Sequence, residues 1–519
     1  MKRILFLSVL LCRAVVSAQT VEWFALQQDG QSKGYNVGYS TICDPDGNVY
    51  ISGFKQNAFT YNDTYGDIYY SKYNSFGQVI FSKTFSGKVA SYSLVSDNEG
   101  SIIIALSFID EITINETTLM HTDIEPAKMI AKLDSDGNLL WHKILTIETG
   151  FGLNSVNDFR GLAIDSGNNV YAAFDNYSNS HIVKYSPAGE VLMDIEQQNV
   201  NRITSVAVDN EGNIYGSGSC AGPNAVYAGM AAPTDLAYNT YVVKYSPSGV
   251  FQWIKYVNDI TCPEPHVVAR TPNEVYVSSF LFLNAEFDEF DTEGPFQAFE
   301  DFFIAKLDAD GTYQWVREVP GAGSAAQGNR NFLNLDNNGN VYFAGYTSGT
   351  IDWANNIQTS VDGFSNNDAF VIKYSPEGEV LMAKNWGGES YERIDGITLN
   401  ADGGIFIAGI VSGTGDFGGF EYEGEAWEYK PYLAKIGGAT AGITDHHFKS
   451  ISVYPNPATD YFILPALEKT VTGKIFNALG QEVIDFRTDG MSPVNVTQLP
   501  AGTYYVRMGG FAVAKLIKK

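Results

Sequence analysis

The chain has 519 residues, of which 45% are hydrophobic and only 18% charged, and its 33 basic against 59 acidic residues leave a formal net charge of −26. Nucleic acid and anionic lipid are excluded as natural partners by that imbalance, because both are bound by cationic groups that replace their counterions. Past the first residues, no stretch approaches the roughly eighteen consecutive apolar positions of a membrane helix, so no membrane span is expected.

Residues 1–18 read as a secretory signal: Lys2 and Arg3, the apolar run Ile4 to Leu11, then small residues at Val16-Ser17-Ala18. Leu11 is too bulky to precede a lipid-modified Cys12, which favours soluble export. Three cysteines remain beyond the signal, Cys43, Cys220 and Cys262, an odd number that rules out a complete disulfide framework. Cys43 sits in an apolar strand pattern as a buried thiol. Cys220 and Cys262 fall in connections expected on one face, which makes them a candidate disulfide in an oxidising exterior.

From there to residue 436 the chain repeats itself. A lysine ends a short apolar run at Lys72, Lys132, Lys184, Lys244, Lys306, Lys373 and Lys435. In the first six copies a glycine follows five residues later and a large apolar residue four after that, as in Lys244, Gly249 and Trp253. Upstream of each lysine lies a second mark, a mostly acidic residue followed six positions on by an aromatic or branched one: Asp44/Tyr50, Asp97/Ile103, Asp165/Tyr171, Asp209/Tyr215, Arg270/Tyr276, Asp336/Tyr342 and Asn400/Phe406. Turn formers between the members of each pair make a hairpin, strands A and B. The lysine run is strand C, and the glycine turns it into strand D. Four antiparallel strands per unit, repeated seven times, predict a seven-bladed β-propeller over residues 19–436. The seventh copy lacks strand D after Lys435. Val21 to Leu26 supplies it, with Trp23 as counterpart of Trp141, Trp253 and Trp315, so the N-terminal strand closes the ring. The short A–B and C–D turns share one face. The B–C and D–A connections open on the other, where most B–C loops are long, and long loops on a rigid frame are where function usually resides.

The form Asp-x-x-Gly-Asn-Val-Tyr-x-x-Gly followed by Asp-x-Phe-Val-x-Lys-Tyr-x-x-x-Gly, as in Asp336 to Gly345 and Asp368 to Gly378, resembles the bacterial β-propeller repeats of exported proteins. That resemblance implies a fold and is nearly silent on activity.

Residues 437–449 read as a Gly/Ala/Thr linker ending near His446-His447, a pair too poorly preorganised for a metal site. Residues 450–519 read as a small all-β module, a sandwich by strand count. Tyr454-Pro455-Asn456-Pro457, the Asn477 to Gln481 turn with Gly480, the run Leu499 to Val506 with Gly502 and Tyr504, and the terminal Lys515 to Lys519 with Lys518 resemble closely the C-terminal sorting domain of the type IX secretion system of Bacteroidota. The resemblance implies export by that machinery, a secreted or cell-surface location, and often removal of the domain.

No linear catalytic motif is present: no Gly-x-Ser-x-Gly elbow, no His-Glu-x-x-His and no phosphate loop. The repeated Asp-x-[Asp/Asn/Glu]-Gly-Asn turns have calcium-like spacing but lack the bidentate glutamate of a helix-flanked loop, so turn chemistry is the simpler reading and no cofactor is expected. The six propeller arginines lie dispersed over several blades, against the cluster a carboxylate-binding hydrolase needs. The candidates for ligand contact are aromatic residues in the long loops, Trp353, Trp386, Tyr391, Trp427 and Tyr429, since aromatic faces stack on sugars and dominate protein interfaces. The sequence thus reads as an all-β exported propeller that binds a glycan or protein ligand, the alternatives being a propeller polysaccharide hydrolase or lyase, or an inert structural surface protein.

Overall fold

The computed structural model describes residues 20–27, 39–55, 65–123, 125–147, 156, 158–259, 264–295, 301–321, 323–361, 366–426, 428–437, 453–464, 471–477, 482–488, 492–508 and 514–519. The expected signal segment and, except for Gly437, the expected linker lie outside them. The described residues contain strands and no helix, and hence none long and apolar enough to cross a membrane. The chain forms two compact units that divide after Ala439.

In the first unit, antiparallel pairing groups the strands in fours. The fifth group is the plainest, with A at His266–Ala269, B at Val275–Leu281, C at Asp301–Leu307 and D at Tyr313–Glu318. The A strands of the seven groups are Ser40–Cys43, the second half of Val79–Ser96, Asp158–Ile164, the second half of Val191–Val208, His266–Ala269, Leu333–Leu335 and Arg393–Leu399. Each packs on the next in this order, and the last packs on the first. The fold is therefore an all-β propeller whose innermost strands form a closed cycle. Seven buried apolar clusters fill the spaces between neighbouring blades. The closing group pairs Val21–Leu26 with Lys430–Ile436, Trp23 opposite Lys435. Trp23 is 6% exposed and packs between Tyr73 of the first blade and Phe406 of the last.

The repeated residues form one device. Lys72, Lys132, Lys184 and Lys373 pair with Asp44, Asp97, Asp165 and Asp336 of their own blades at 2.8 to 3.3 Å. Tyr50, Tyr171, Tyr215 and Tyr342 each donate to the same type of aspartate. The lysine also reaches the next blade: Lys72 donates to Ser135 O, Lys132 to Pro187 O, Lys244 to Ala309 O and Lys306 to Pro376 O. The tryptophan of strand D finds the same acceptor, Trp141 on Pro187 O, Trp253 on Ala309 O and Trp315 on Pro376 O. Trp23 repeats the contact across the closure, donating to Ser75 O at 3.1 Å. The turn glycine lies against that indole. A Cβ on Gly311 would stand 2.7 Å from the Trp253 ring, and φ there is +81°, so both space and backbone demand glycine.

Two expected D–A connections are absent. Val79–Ser96 and Val191–Val208 each run unbroken as strand D of one blade and strand A of the next. The following B strands, Ile102–Ile114 and Ile214–Tyr227, are lengthened and their far ends pair back onto the preceding D strand, as in Ser86 opposite Thr113 and Gln197 opposite Tyr227. Two B–C loops thereby become sheet, which satisfies edge backbone groups that loops would leave to solvent.

In the second unit, Val471–Asn477 lies between Glu482–Thr488 and Gly502–Met508, with Ala514–Lys518 beyond. Among the described residues a two-stranded pair, Tyr461–Phe462 with Val494–Asn495, accompanies this sheet around a core that includes Phe462, Ile475, Val506 and Leu516. Asn456 ties the motif at its start to the last strand, donating to Lys515 O at 2.7 Å and accepting from Ile517 N at 2.8 Å. Tyr504 Oη donates to Pro500 O, and Gly502 pairs with Lys518. Tyr454 is exposed. Gly480 lies outside the described residues.

Replacing Trp23 with alanine removes a buried indole and the closing hydrogen bond together. Trp23→Ala should cost about 3–5 kcal/mol in chemical denaturation. An unchanged midpoint would show that the ring does not depend on this closure.

Candidate functional site at the axial mouth

In a propeller the first residues of successive A strands meet around the axis, however far apart they stand in sequence. Four arginines lie at or near such positions, Arg160, Arg202, Arg393 and, three residues before its strand, Arg330, contrary to their dispersed look in the sequence. Glu264 binds two of them: Arg160 Nη1 donates to Oε2, and Arg202 Nη2 to Oε1 at 3.1 Å. Arg393 is buried at the next side, with Nε 2.6 Å from Asp395 Oδ1 and Nη1 donating to Tyr391 Oη at 3.1 Å. Asp395 is fully buried and also accepts from the backbone N–H of Tyr39 and Asn329.

Arg330 differs from the other three. It makes no ion pair among the described residues. Its guanidinium lies 5.4 Å from the centre of the Tyr92 ring, Nη1 donates to Asn329 O, and Nε is buried without a partner. Burial, with the repulsion of Arg160 and Arg393 added, pulls it down to about 10 despite Asp395. Arg160, Glu264 and Arg330 line a small cavity on the long-loop face, together with Tyr92, Thr204, His266, Gln327 and Asn329. Gln327 Nε2 donates to Glu264 O, while its Oε1 is buried with no partner. Burial pushes His266 down to about 4, so it is neutral at physiological pH. Below this cavity a channel of about 340 Å³ continues along the A strands toward the turn face.

The aromatic candidates separate into two groups. Trp353 is a correction: it sits on the hairpin Thr350–Ala354 with Ile357–Ser360, which folds inward and buries the ring. The indole stacks on Phe302 and Phe370, donates to Thr359 Oγ1, and is 5% exposed. Trp386 is likewise core, stacked on Phe417. Tyr391 and Tyr429 are brought together edge to face at 6.1 Å beside Arg393, half-buried at the rim of the arginine cluster. Trp427 lies outside the described residues. Cys43 is a free thiol whose burial pushes it up to about 12, and Cys220 is disulfide-bonded. Cys262, its expected partner, lies outside the described residues. The turn aspartates spend their oxygens on the turn itself, as where Asp44 accepts from Asn48 N, Asn48 Nδ2, Tyr50 Oη and Lys72. Among the described residues no three His, Cys, Asp or Glu side chains are grouped to hold a metal ion.

A second buried acid stands near the rim. Glu392 has no exposed surface; its Oε2 accepts from Gly388 N at 3.1 Å, and Asp368 lies close by. Burial, strengthened by the Asp368 charge, pushes its carboxyl up to about 7.

Residues 452–519 match the family described as secretion system C-terminal sorting domain. The C-terminal unit is a sorting domain of that kind. This sorting domain makes the chain a type IX cargo, secreted and displayed at the cell surface. No curated protein matches the chain. Solved structures similar to it include a catalytically inactive virginiamycin B lyase from Staphylococcus aureus with quinupristin, 12% identical over 79% of this chain and 99% of that one, TM-score 0.38. A Dos1 propeller is 8% identical over 80% and 95%, TM-score 0.38. A protein of unknown function from Bacteroides caccae is 12% identical over 68% and 83%, TM-score 0.31.

A carboxyl raised by burial stabilises the fold while it is protonated and loses that contribution as pH rises through about 7. Glu392→Gln should therefore leave stability unchanged at pH 4 and raise it at pH 8, by up to about 3 kcal/mol. Thermal melts at the two pH values check this; equal effects at both would refute it.

Proposed function

We propose that the protein is an extracellular binding module that holds a glycan at the axial mouth of its propeller. The observation that carries this reading is the convergence of Arg160, Arg330, Gln327, Asn329 and Thr204 on one cavity of the long-loop face. Sugars are recognised by such mixtures of guanidinium, amide and hydroxyl groups set in a concave frame, with aromatic edges at the rim. Tyr391 and Tyr429 supply that rim. Arg160, Thr204 and Gln327 lie on strands, while Asn329 and Arg330 lie in the bend between Ser324–Gln327 and Leu333–Leu335, held there where Arg330 N donates to Asp395 O.

A glycan array probed with the mature full-length protein, with and without calcium, tests the reading. A specific hit should fall at least tenfold in apparent affinity with Asn329→Ala and be unaffected by Arg270→Gln on the opposite, turn-bearing face. Hits indifferent to Asn329→Ala would place binding elsewhere, and a blank array in both conditions would turn the search to a protein ligand.

A further inference from the structure

Arg330 and Gln327 present a matched pair of unmet needs. Three of the four axial arginines already have carboxylate partners: Glu264 serves Arg160 and Arg202, and Asp395 serves Arg393. Arg330 has none among the described residues, and its buried Nε has no acceptor. Among the described residues that line the mouth, Arg160 and Arg330 face a single carboxylate, Glu264, in a chain of net charge −26. A buried guanidinium donor without an acceptor costs the desolvation of a charged group, and an arriving anion would recover it. Gln327 Oε1 is the complementary case, a buried acceptor on the same cavity with no donor. The cavity encloses about 30 Å³, room for one or two waters or the end of a carboxylate but not for a sugar ring.

We propose that the mouth takes the hydroxy-carboxylate end of an acidic sugar, with Arg330 donating to the carboxylate and Gln327 Oε1 accepting from the neighbouring hydroxyl. This rests on the axial-mouth reading above and narrows its ligand. A carboxylate carrying a hydroxyl beside it fits one donor and one acceptor together. Inorganic phosphate also carries an O–H near neutral pH, and it serves as the comparison for an anion without a sugar frame. The surrounding negative surface repels long polyanions, so the favoured ligand is a single acidic unit at the end of a chain.

Isothermal titration of the mature full-length protein with glucuronate and galacturonate is the experiment, with glucose, inorganic phosphate and an acetylated dipeptide bearing a free C-terminus for comparison. At least one sugar acid should bind at least tenfold more tightly than glucose, phosphate or the dipeptide. Arg330→Gln should weaken it at least tenfold, Arg330→Lys less, and Gln327→Glu should also weaken it, since a second carboxylate would face the ligand. Melting temperatures confirm that each variant is folded; if Arg330→Gln does not fold, the discrimination by the unaltered protein decides. Failure of both sugar acids to bind overturns the proposal, as does dipeptide binding of equal strength or a folded Arg330→Gln with unchanged affinity. A neutral glycan that binds and is lost with Asn329→Ala but not with Arg330→Gln would sink the acidic ligand and leave the axial-mouth reading standing.

Discussion

A backbone carbonyl at the second position of a C–D turn organises five of the blade junctions, at Ser75, Ser135, Pro187, Ala309 and Pro376. At Pro187, Ala309 and Pro376 it accepts from both the lysine and the tryptophan of the preceding blade. A buried ammonium is tolerated only when paired and hydrogen-bonded, and the aspartate, tyrosine face and carbonyl together meet that need. Hydrogen bonds from Asn169 and Lys184 hold the Asp165 carboxyl below the usual range although burial opposes them. The fifth blade shows what the aspartate contributes. Arg270 replaces it there, Lys306 makes no ion pair among the described residues, and burial lowers the Lys306 pKa, whereas Lys184 beside Asp165 is raised. The junction survives this loss because Lys306 keeps its carbonyl and Trp315 shares it.

The same constraint separates what could be read in advance from what could not. Lysine, glycine and tryptophan recur at fixed offsets because they meet at one point, so their spacing carried the blade pattern and the closing role of Trp23. The arginines obey a looser version of the rule: Arg160, Arg202, Arg330 and Arg393 stand five to seven residues before Asp165, Asp209, Asp336 and Asn400. Linear distance made them look scattered, while position within the repeat was the signal that joined them. The loop tryptophans misled for a different reason. Whether an inserted hairpin turns its indole outward or inward depends on the surfaces of its own and the neighbouring blade, here Phe370 and Phe302, and no local pattern encodes that choice. Gln327 and Glu264 had no motif at all.

The electrostatic design is inverted between rim and axis. The chain as a whole carries 59 acidic against 33 basic residues, a field that disfavours polyanions at long range. At the axis four guanidinium groups gather, Arg160 and Arg202 on Glu264 and Arg393 on Asp395, while Arg330 makes no ion pair among the described residues. A ligand would therefore be selected twice, by repulsion of polyanions at long range and by directional hydrogen bonds at short range.

Where the ring's two chain ends meet, Gly437 N donates to Thr20 O at 2.9 Å. That contact joins residues more than four hundred positions apart, the widest separation among the described residues of the first unit. Contacts of such sequence separation form late, because the entropy of loop closure must be overcome before they stabilise anything. A chain on its way out of the cell would remain an open series of blades until its last strand had arrived. The sorting domain, residues 452–519, comes after that strand in the chain, so the ring's closing strand is always made before the export tag.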